Sequence, residues 1–156
     1  MKQDSFVANP RLFQALVKRS KECICLDFTT LFKRGDFPEG LYILREGQAS
    51  LLLLSPTDRI ISSFHAGPGS ILGLPAVIGL VPYTLTAIAR KGSIVGFVER
   101  GAFNDLLQEE PAFYPLALSL LASEARSARL TLPGVREISR PATQLRKTGL
   151  CSRLWH

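Results

Sequence analysis

A chain of 156 residues is long enough for one domain with its own core and too short for two of ordinary size. Its 46% apolar and 21% charged residues are the balance of a globular protein, and no internal repeat or low-complexity tract interrupts them. The net charge of +6 does not describe the body: residues 1–125 hold twelve basic and twelve acidic side chains, so the excess belongs to Arg126, Arg129, Arg136, Arg140, Arg146, Lys147 and Arg153 against Glu137. Such an end can meet nucleic acid or an acidic surface, or simply be a solvated, poorly ordered terminus.

Met1 to Asn9 carries Lys2 and Asp4 and no apolar run, so a secretory signal is not expected. Asn9-Pro10 reads as an N-cap followed by proline at the first helical position. Leu12, Phe13, Leu16 and Val17 then recur at helical spacing, which predicts a helix over 9–20. From there the texture changes. Residues 23–28, 30–32, 41–44, 49–54, 60–64, 84–89 and 94–98 are seven short strand candidates, separated by breaks such as Arg34-Gly35-Asp36, Arg45-Glu46-Gly47 and Gly67-Pro68-Gly69. Seven strands at near-regular spacing, with twelve glycines and ten prolines in the chain and no helices between them, predict a sandwich or jelly-roll barrel over 22–99 rather than a parallel α/β sheet.

Cys23 and Cys25 lie two apart in one predicted strand, too far for an easy disulfide, and Cys151 stands alone. With only His65 and His156 besides, no zinc set can be assembled, and a reduced, cytoplasmic setting is the natural expectation. Residues 60–89 contain no Asp, Glu, Lys or Arg, and Gly69 and Gly73 form a G-x-x-x-G. Pro68, Pro75 and Pro82 argue against a membrane span, because lipid replaces none of the backbone bonds that proline removes. The stretch reads as buried and rich in turns.

Helical signals return after Val98: a short helix over 101–107, then a longer one from Pro111 to about Leu132, ended by Pro133-Gly134. Within it Tyr114, Leu118, Leu121, Ala125, Ala128 and Leu132 make a heptad seam suited to a partner helix. Phe113, Leu116, Ala117 and Leu120 form a second stripe suited to the barrel. The expectation is a homodimer through Tyr114, Leu118, Leu121, Ala125 and Ala128; the alternative is that both stripes cover the barrel. Residues 133–156 read as a basic tail.

Leu31-Phe32-Lys33-Arg34-Gly35-Asp36-Phe37-Pro38-Glu39-Gly40-Leu41-Tyr42-Ile43-Leu44-Arg45-Glu46-Gly47-Gln48-Ala49 resembles the first half of the cyclic-nucleotide-binding domain of Crp/Fnr regulators. Gly35 and Gly47 can take positive φ, Asp36 can bond the turn backbone, and Tyr42 packs in its strand. Further pieces follow in order: Pro68-Gly69 resembles the turn before the phosphate cassette, Gly73-Leu74-Pro75-Ala76 its short helix, Thr86-Ala87 the next strand, and Glu99 with Phe103 the start of the helices. The likeness covers roughly residues 10–132. It implies a mainly β jelly-roll barrel (a double-stranded β-helix) with flanking helices, a C-terminal dimerisation helix and a sensory role without catalysis.

The same resemblance implies a glutamate for the ribose near position 71 and an arginine for the cyclic phosphate near position 85; here these are Ile71 and Leu85. An arginine fork on phosphate is the physical core of such a site. No register within 60–89 supplies one, and Arg90 and Lys91 follow the strand. Cyclic AMP and cyclic GMP are therefore not expected as ligands, and no cofactor is implied. Backbone amides at Gly73, Leu74 and Ala76 can hold an anion weakly. Ser70, Tyr83, Thr84 and Thr86 can edge a pocket for an uncharged small-molecule effector, or sit in turns and bond the backbone, with the interior filled by its own side chains.

Full-length members also carry a C-terminal helix-turn-helix of about 60 residues. After Pro133 only 23 residues follow, so sequence-specific DNA binding by this chain alone is not expected. Two other readings remain: a ligandless interaction module that modulates related regulators through the helix seam, and a cupin-type enzyme, which would need several histidines that the chain lacks.

Overall fold

The computed structural model of the chain describes residues 6–131, with side chains through Arg126. Helix α1 spans Pro10–Val17, with Asn9 as its cap: the Asn9 Oδ1 accepts a hydrogen bond from the Arg11 N–H at 2.9 Å. It is shorter than the expected 9–20, since its periodic residues end at Val17 and the Ser20 hydroxyl turns back to the Val17 carbonyl at 2.8 Å. The strands that follow are β1 (Lys21–Ile24), β2 (Thr29–Phe32), β3 (Gly40–Glu46), β4 (Ala49–Leu54), β5 (Ile60–Ala66) and β6 (Ser70–Leu72). Helix α2 (Leu74–Gly79), strands β7 (Thr86–Ala89) and β8 (Ile94–Glu99), and helices α3 (Arg100–Glu109) and α4 (Phe113–Thr131) complete the order.

Eight strands thus stand where the sequence predicts seven. The extra one, β6, has three residues and no alternation to announce it; it pairs with β3 through Tyr42↔Leu72, Ile43↔Ile71 and Leu44↔Ser70. The expected strand over 23–28 stops at Ile24. Beyond it the Asp27 carboxylate accepts from the Phe28 N–H at 2.8 Å and the Asp27 carbonyl from the Thr29 hydroxyl at 2.9 Å, which bends the chain into the other sheet. Cys25 lies in that bend as a buried thiol and is not bridged to Cys23. The last helix begins at Phe113 rather than Pro111, and the one before it runs to Glu109 rather than 107.

The strands form two antiparallel four-stranded sheets, ordered β1-β8-β3-β6 and β2-β7-β4-β5. Their facing sides enclose one apolar cluster, including Phe32, Tyr42, Leu51, Phe64, Leu72, Tyr83 and Phe97. The outer face of the first sheet carries a second, in which Leu41, Ile43, Ile71 and Val98 pack against Leu12, Leu16, Phe103, Leu106, Phe113 and Leu120 of the helices. Strand β3 belongs to both: Tyr42 and Leu44 point inward, Leu41 and Ile43 toward the helices. A strand buried on two faces needs a continuous apolar run, whereas β5, with Ile60, Ser62, Phe64 and Ala66 more buried than Ile61, Ser63 and His65, alternates. Each large side chain so enclosed contributes about 1.5–3 kcal/mol.

The turn glycines behave as their sequence context predicts. Gly35 has φ +93° and Gly47 φ +91°. At Gly47 a β-carbon would also lie 2.3 Å from the Ser93 Oγ and 2.7 Å from its Cα, so the β3–β4 turn sits against the start of β8 with no room for one. Among the described residues no helix is long and apolar enough to cross a membrane. The expected basic tail at 133–156, Cys151, Leu132 and the Ala128 side chain lie outside the described residues.

Candidate functional site

The stretch without charges folds into β5, β6, α2, the α2–β7 loop and β7. Its polar residues are largely engaged by the backbone. The Ser70 hydroxyl, fully buried, donates to the Gly67 carbonyl at 2.6 Å, and the Thr86 Oγ1 accepts from the Arg34 N–H at 3.0 Å. Thr84 is exposed. Gly73 caps α2 from the left-handed region and offers no side-chain bond. Leu74 points away from the barrel interior into the helix-side cluster, while Ala76 faces the interior. Of the four residues expected to edge a pocket, Ser70 and Thr86 thus bond the backbone from within strands and Thr84 faces solvent, while Gly73, Leu74 and Ala76, expected to offer backbone amides, begin α2.

The fourth, Tyr83, is placed differently from its expected edge role. Its ring is buried inside the barrel, stacked on Phe32 with centroids 4.0 Å apart and planes 16° from parallel. Phe32 lies 5.8 Å from Tyr42, whose ring is 5.1 Å from Phe97. The Tyr83 hydroxyl donates to the Gly40 carbonyl, and burial pushes its pKa up to about 12, opposed in part by that bond. Burial raises Tyr42 further. Sequence reading missed Phe32, Phe97 and the Gly40 carbonyl as neighbours of this loop. The only available signal was aromatic residues at inward positions of separate strands, which periodicity does not connect.

Among the described residues no charged side chain is buried beside the inner cluster, although Asp36, Glu39 and Arg100 lie close enough to Tyr83 to act on it electrostatically. Leu85 packs against that cluster from the position where an arginine would be expected. Arg90 and Lys91 are exposed at the far end of β7, about 13 Å of strand beyond Thr86. Arg34, whose N–H bonds Thr86, turns its guanidinium to the Ser55 carbonyl at 3.4 Å, and Arg100, close enough to Tyr83 to act on it electrostatically, donates to the Pro38 carbonyl at 2.7 Å. Among the described residues no three His, Cys, Asp or Glu side chains gather to hold a metal.

Outside the barrel, α4 divides as its two stripes suggest, with one exchange. Phe113, Ala117 and Leu120 are buried and Leu116 half-buried against the helix-side cluster. Tyr114 and Leu118 are exposed, 45% and 59%, and so is Ala125. Leu121, expected in the seam, instead packs toward the barrel, and Ala122, four residues after Leu118, takes its place on the outer line. The 3.6-residue pitch accounts for this: strict heptads drift around a straight helix. An open groove of about 700 Å³ runs between α1 and the α3–α4 junction, lined by Arg11, Lys18, Arg19, Leu106, Glu110 and Phe113. Its charges are mixed, and Arg19 is already paired with Glu109 at 2.7 Å.

The family model described as the cyclic nucleotide-binding domain matches residues 27–110, just over half of the chain. No curated protein matches in sequence. Among solved structures, the catabolite activator protein of Thermus thermophilus superposes with a TM-score of 0.65 at 20% identity, over 80% of this chain and 59% of its own. The sensor domain of the transcriptional regulator DNR from Pseudomonas aeruginosa gives 0.54 at 21%, over 85% and 87%. The N-terminal domain of a transcriptional regulator from Streptomyces coelicolor A3(2) gives 0.57 at 23%, over 78% and 84%. The chain spans about three-fifths of the length of the activator protein and most of the two isolated domains. With eight strands in two antiparallel sheets, a short helix after β6 and a long helix after the barrel, it belongs to the cyclic nucleotide-binding domain family, in the fold shared with Crp/Fnr-type regulators.

Proposed function

We propose that this domain is a non-catalytic, cytoplasmic sensory and regulatory unit of signal transduction or transcriptional control that works without cyclic AMP or cyclic GMP. One observation carries the reading: residues 60–89, which form the cassette and its flanking strands, contain no charged side chain, and the barrel interior beside them is closed by aromatic and aliphatic groups. A cyclic phosphate entering there would lose its water and meet no cation, and a buried, unpaired charge costs far more than backbone amides return. The output surface in this reading is α4, where Tyr114, Leu118, Ala122 and Ala125 form an exposed apolar line for the same helix of a second copy. The same closure of the interior favours the second reading, a module that dimerises with related regulators and takes no ligand.

Residues after Arg126 add basic charge, and contact with nucleic acid through them would be sequence-indifferent and weakened by salt. The testing experiment restores the missing cation. Leu85 faces the inner cluster and Thr84 faces solvent, so Leu85→Arg should gain binding of cyclic AMP, with a dissociation constant of about 100 μM or tighter, while Thr84→Arg should not. A folded Leu85→Arg variant without any gain would contradict the placement of the phosphate position.

A further inference from the structure

The loop between α2 and β7 keeps Tyr83 inside and Leu85 partly packed against the inner cluster, with the rest outside. Leu80, Val81, Pro82 and Thr84 are exposed, while Tyr83 is 5% exposed. Besides its ring, the loop is held to the barrel by two backbone bonds, from the Tyr83 N–H to the Asp36 carbonyl at 3.0 Å and from the Gly35 N–H to the Tyr83 carbonyl at 2.8 Å. Leu80 closes α2 from the left-handed region at φ +52°, a position that usually goes to glycine or asparagine, and its side chain is left in water. That turn closes α2, with the Leu80 and Val81 N–H groups donating to the Ala76 carbonyl, and it leaves Ile78, Leu80 and Val81 exposed side by side. Opening the loop would withdraw the Tyr83 ring and the partly buried Leu85 from the inner cluster.

We propose that Tyr83 is a resident plug, and that the effector of this site is an uncharged, flat aromatic molecule with one hydrogen-bond donor, which takes the place of the tyrosine ring on Phe32 and of its hydroxyl on the Gly40 carbonyl. The inference rests on the reading of a sensory pocket without charges, and it names the ligand class. Each property follows from a contact. The face of Phe32 selects a flat ring. The Gly40 carbonyl, now accepting from the phenol, would lose that partner when a ring without a donor took the site. The buried walls around the ring are apolar, with Asp36, Glu39 and Arg100 acting only from the rim, so a charged ring would lose its water without a buried partner. Gly73 bounds the space on one side, since a β-carbon there would lie 2.9 Å from the Tyr83 ring. Binding would swing residues 80–85 outward and carry the change to the surface at Ile78, Leu80 and Val81. Simple indoles and phenols are the class.

The test uses indole as the probe, with benzene as the ring lacking a donor and cyclic AMP as the charged control, each titrated into the wild-type domain and followed by amide NMR shifts and hydrogen exchange. Indole should saturate with a dissociation constant at or below about 1 mM, shift the Gly73, Tyr83 and Thr86 amides, and speed exchange across 80–85; benzene should bind at least about tenfold more weakly. Because the plug scales apparent affinity by the fraction of molecules in which the loop is open, Tyr83→Ala should bind indole at least about tenfold tighter than wild type. Should that variant fail to fold, Tyr83→Phe keeps the stack, loses the bond to Gly40 and should show a smaller gain. Indole without saturable shifts in wild type, or with shifts away from this loop, would overturn the plug even if Tyr83→Ala binds it. Cyclic AMP binding to wild type would overturn the underlying reading instead, so the two failures are distinct.

Discussion

Replacing Gly47 by alanine should cost far more than replacing Gly35, although both are turn glycines with nearly the same φ, +91° and +93°. Gly35 has nothing within 4 Å of a built β-carbon, so Gly35→Ala meets only the backbone cost of the left-handed region, about 1–2 kcal/mol. At Gly47 the added carbon meets Ser93 at its Oγ, Cα and Cβ, all within 2.8 Å, and the Cα cannot rotate away. The Ser93 hydroxyl, which donates to the Gln48 carbonyl at 3.1 Å and accepts from the Gln48 N–H at 3.2 Å, ties β8 to the β3–β4 turn. Displacing it adds about 1 kcal/mol for each bond. Gly47→Ala should therefore lose about 3–4 kcal/mol, a large share of a typical domain's stability, and lower Tm by about 10 °C. Urea unfolding followed by far-ultraviolet circular dichroism measures both variants. If Gly47→Ala is no less stable than Gly35→Ala, the steric argument is wrong.

Other outcomes follow from the helices. Leu118→Glu puts a charge on the exposed line of α4 without touching the monomer's core, so sedimentation should show a wild-type dimer and a folded monomeric variant; a wild type monomeric at high micromolar concentration would remove the dimer. Glu124 on α4 has its Oε2 buried without a hydrogen-bond partner among the described residues, and burial raises its pKa from near 4.5 to about 8. The folded state then keeps a proton that the unfolded chain releases above pH 4.5. Its contribution is complete below that value and fades as pH rises toward 8, on the order of 1 kcal/mol per pH unit. Glu124→Gln should flatten that slope and be more stable than wild type at pH 8; equal slopes would count against the buried carboxyl.

Much of the fold was legible because its signals are local. Glycine turns at 35 and 47, the Asn9-Pro10 cap and the inward stripe of Phe113, Ala117 and Leu120 each follow from a few neighbouring residues. Strand β6 was not, since three residues flanked by glycines show no period, and it exists because β3 offers it an edge. That Leu121 is half-buried against the helix-side cluster could not be read from heptad spacing, because it depends on where the barrel lies. In the candidate site, the absence of charge was plain from composition. The position of Tyr83 was not: its partners Phe32 and Gly40 are brought to it only when the two sheets close.

Isothermal titration of the wild-type domain with cyclic AMP bears most directly on the claim that this barrel has lost the electrostatics of cyclic-phosphate binding. The expected result is no saturation at concentrations near about 100 μM, at low as well as physiological salt. Saturable binding at low micromolar concentration would mean that a cation reaches the interior, from Arg90, Lys91 or a second chain, and would contradict the charge-free site.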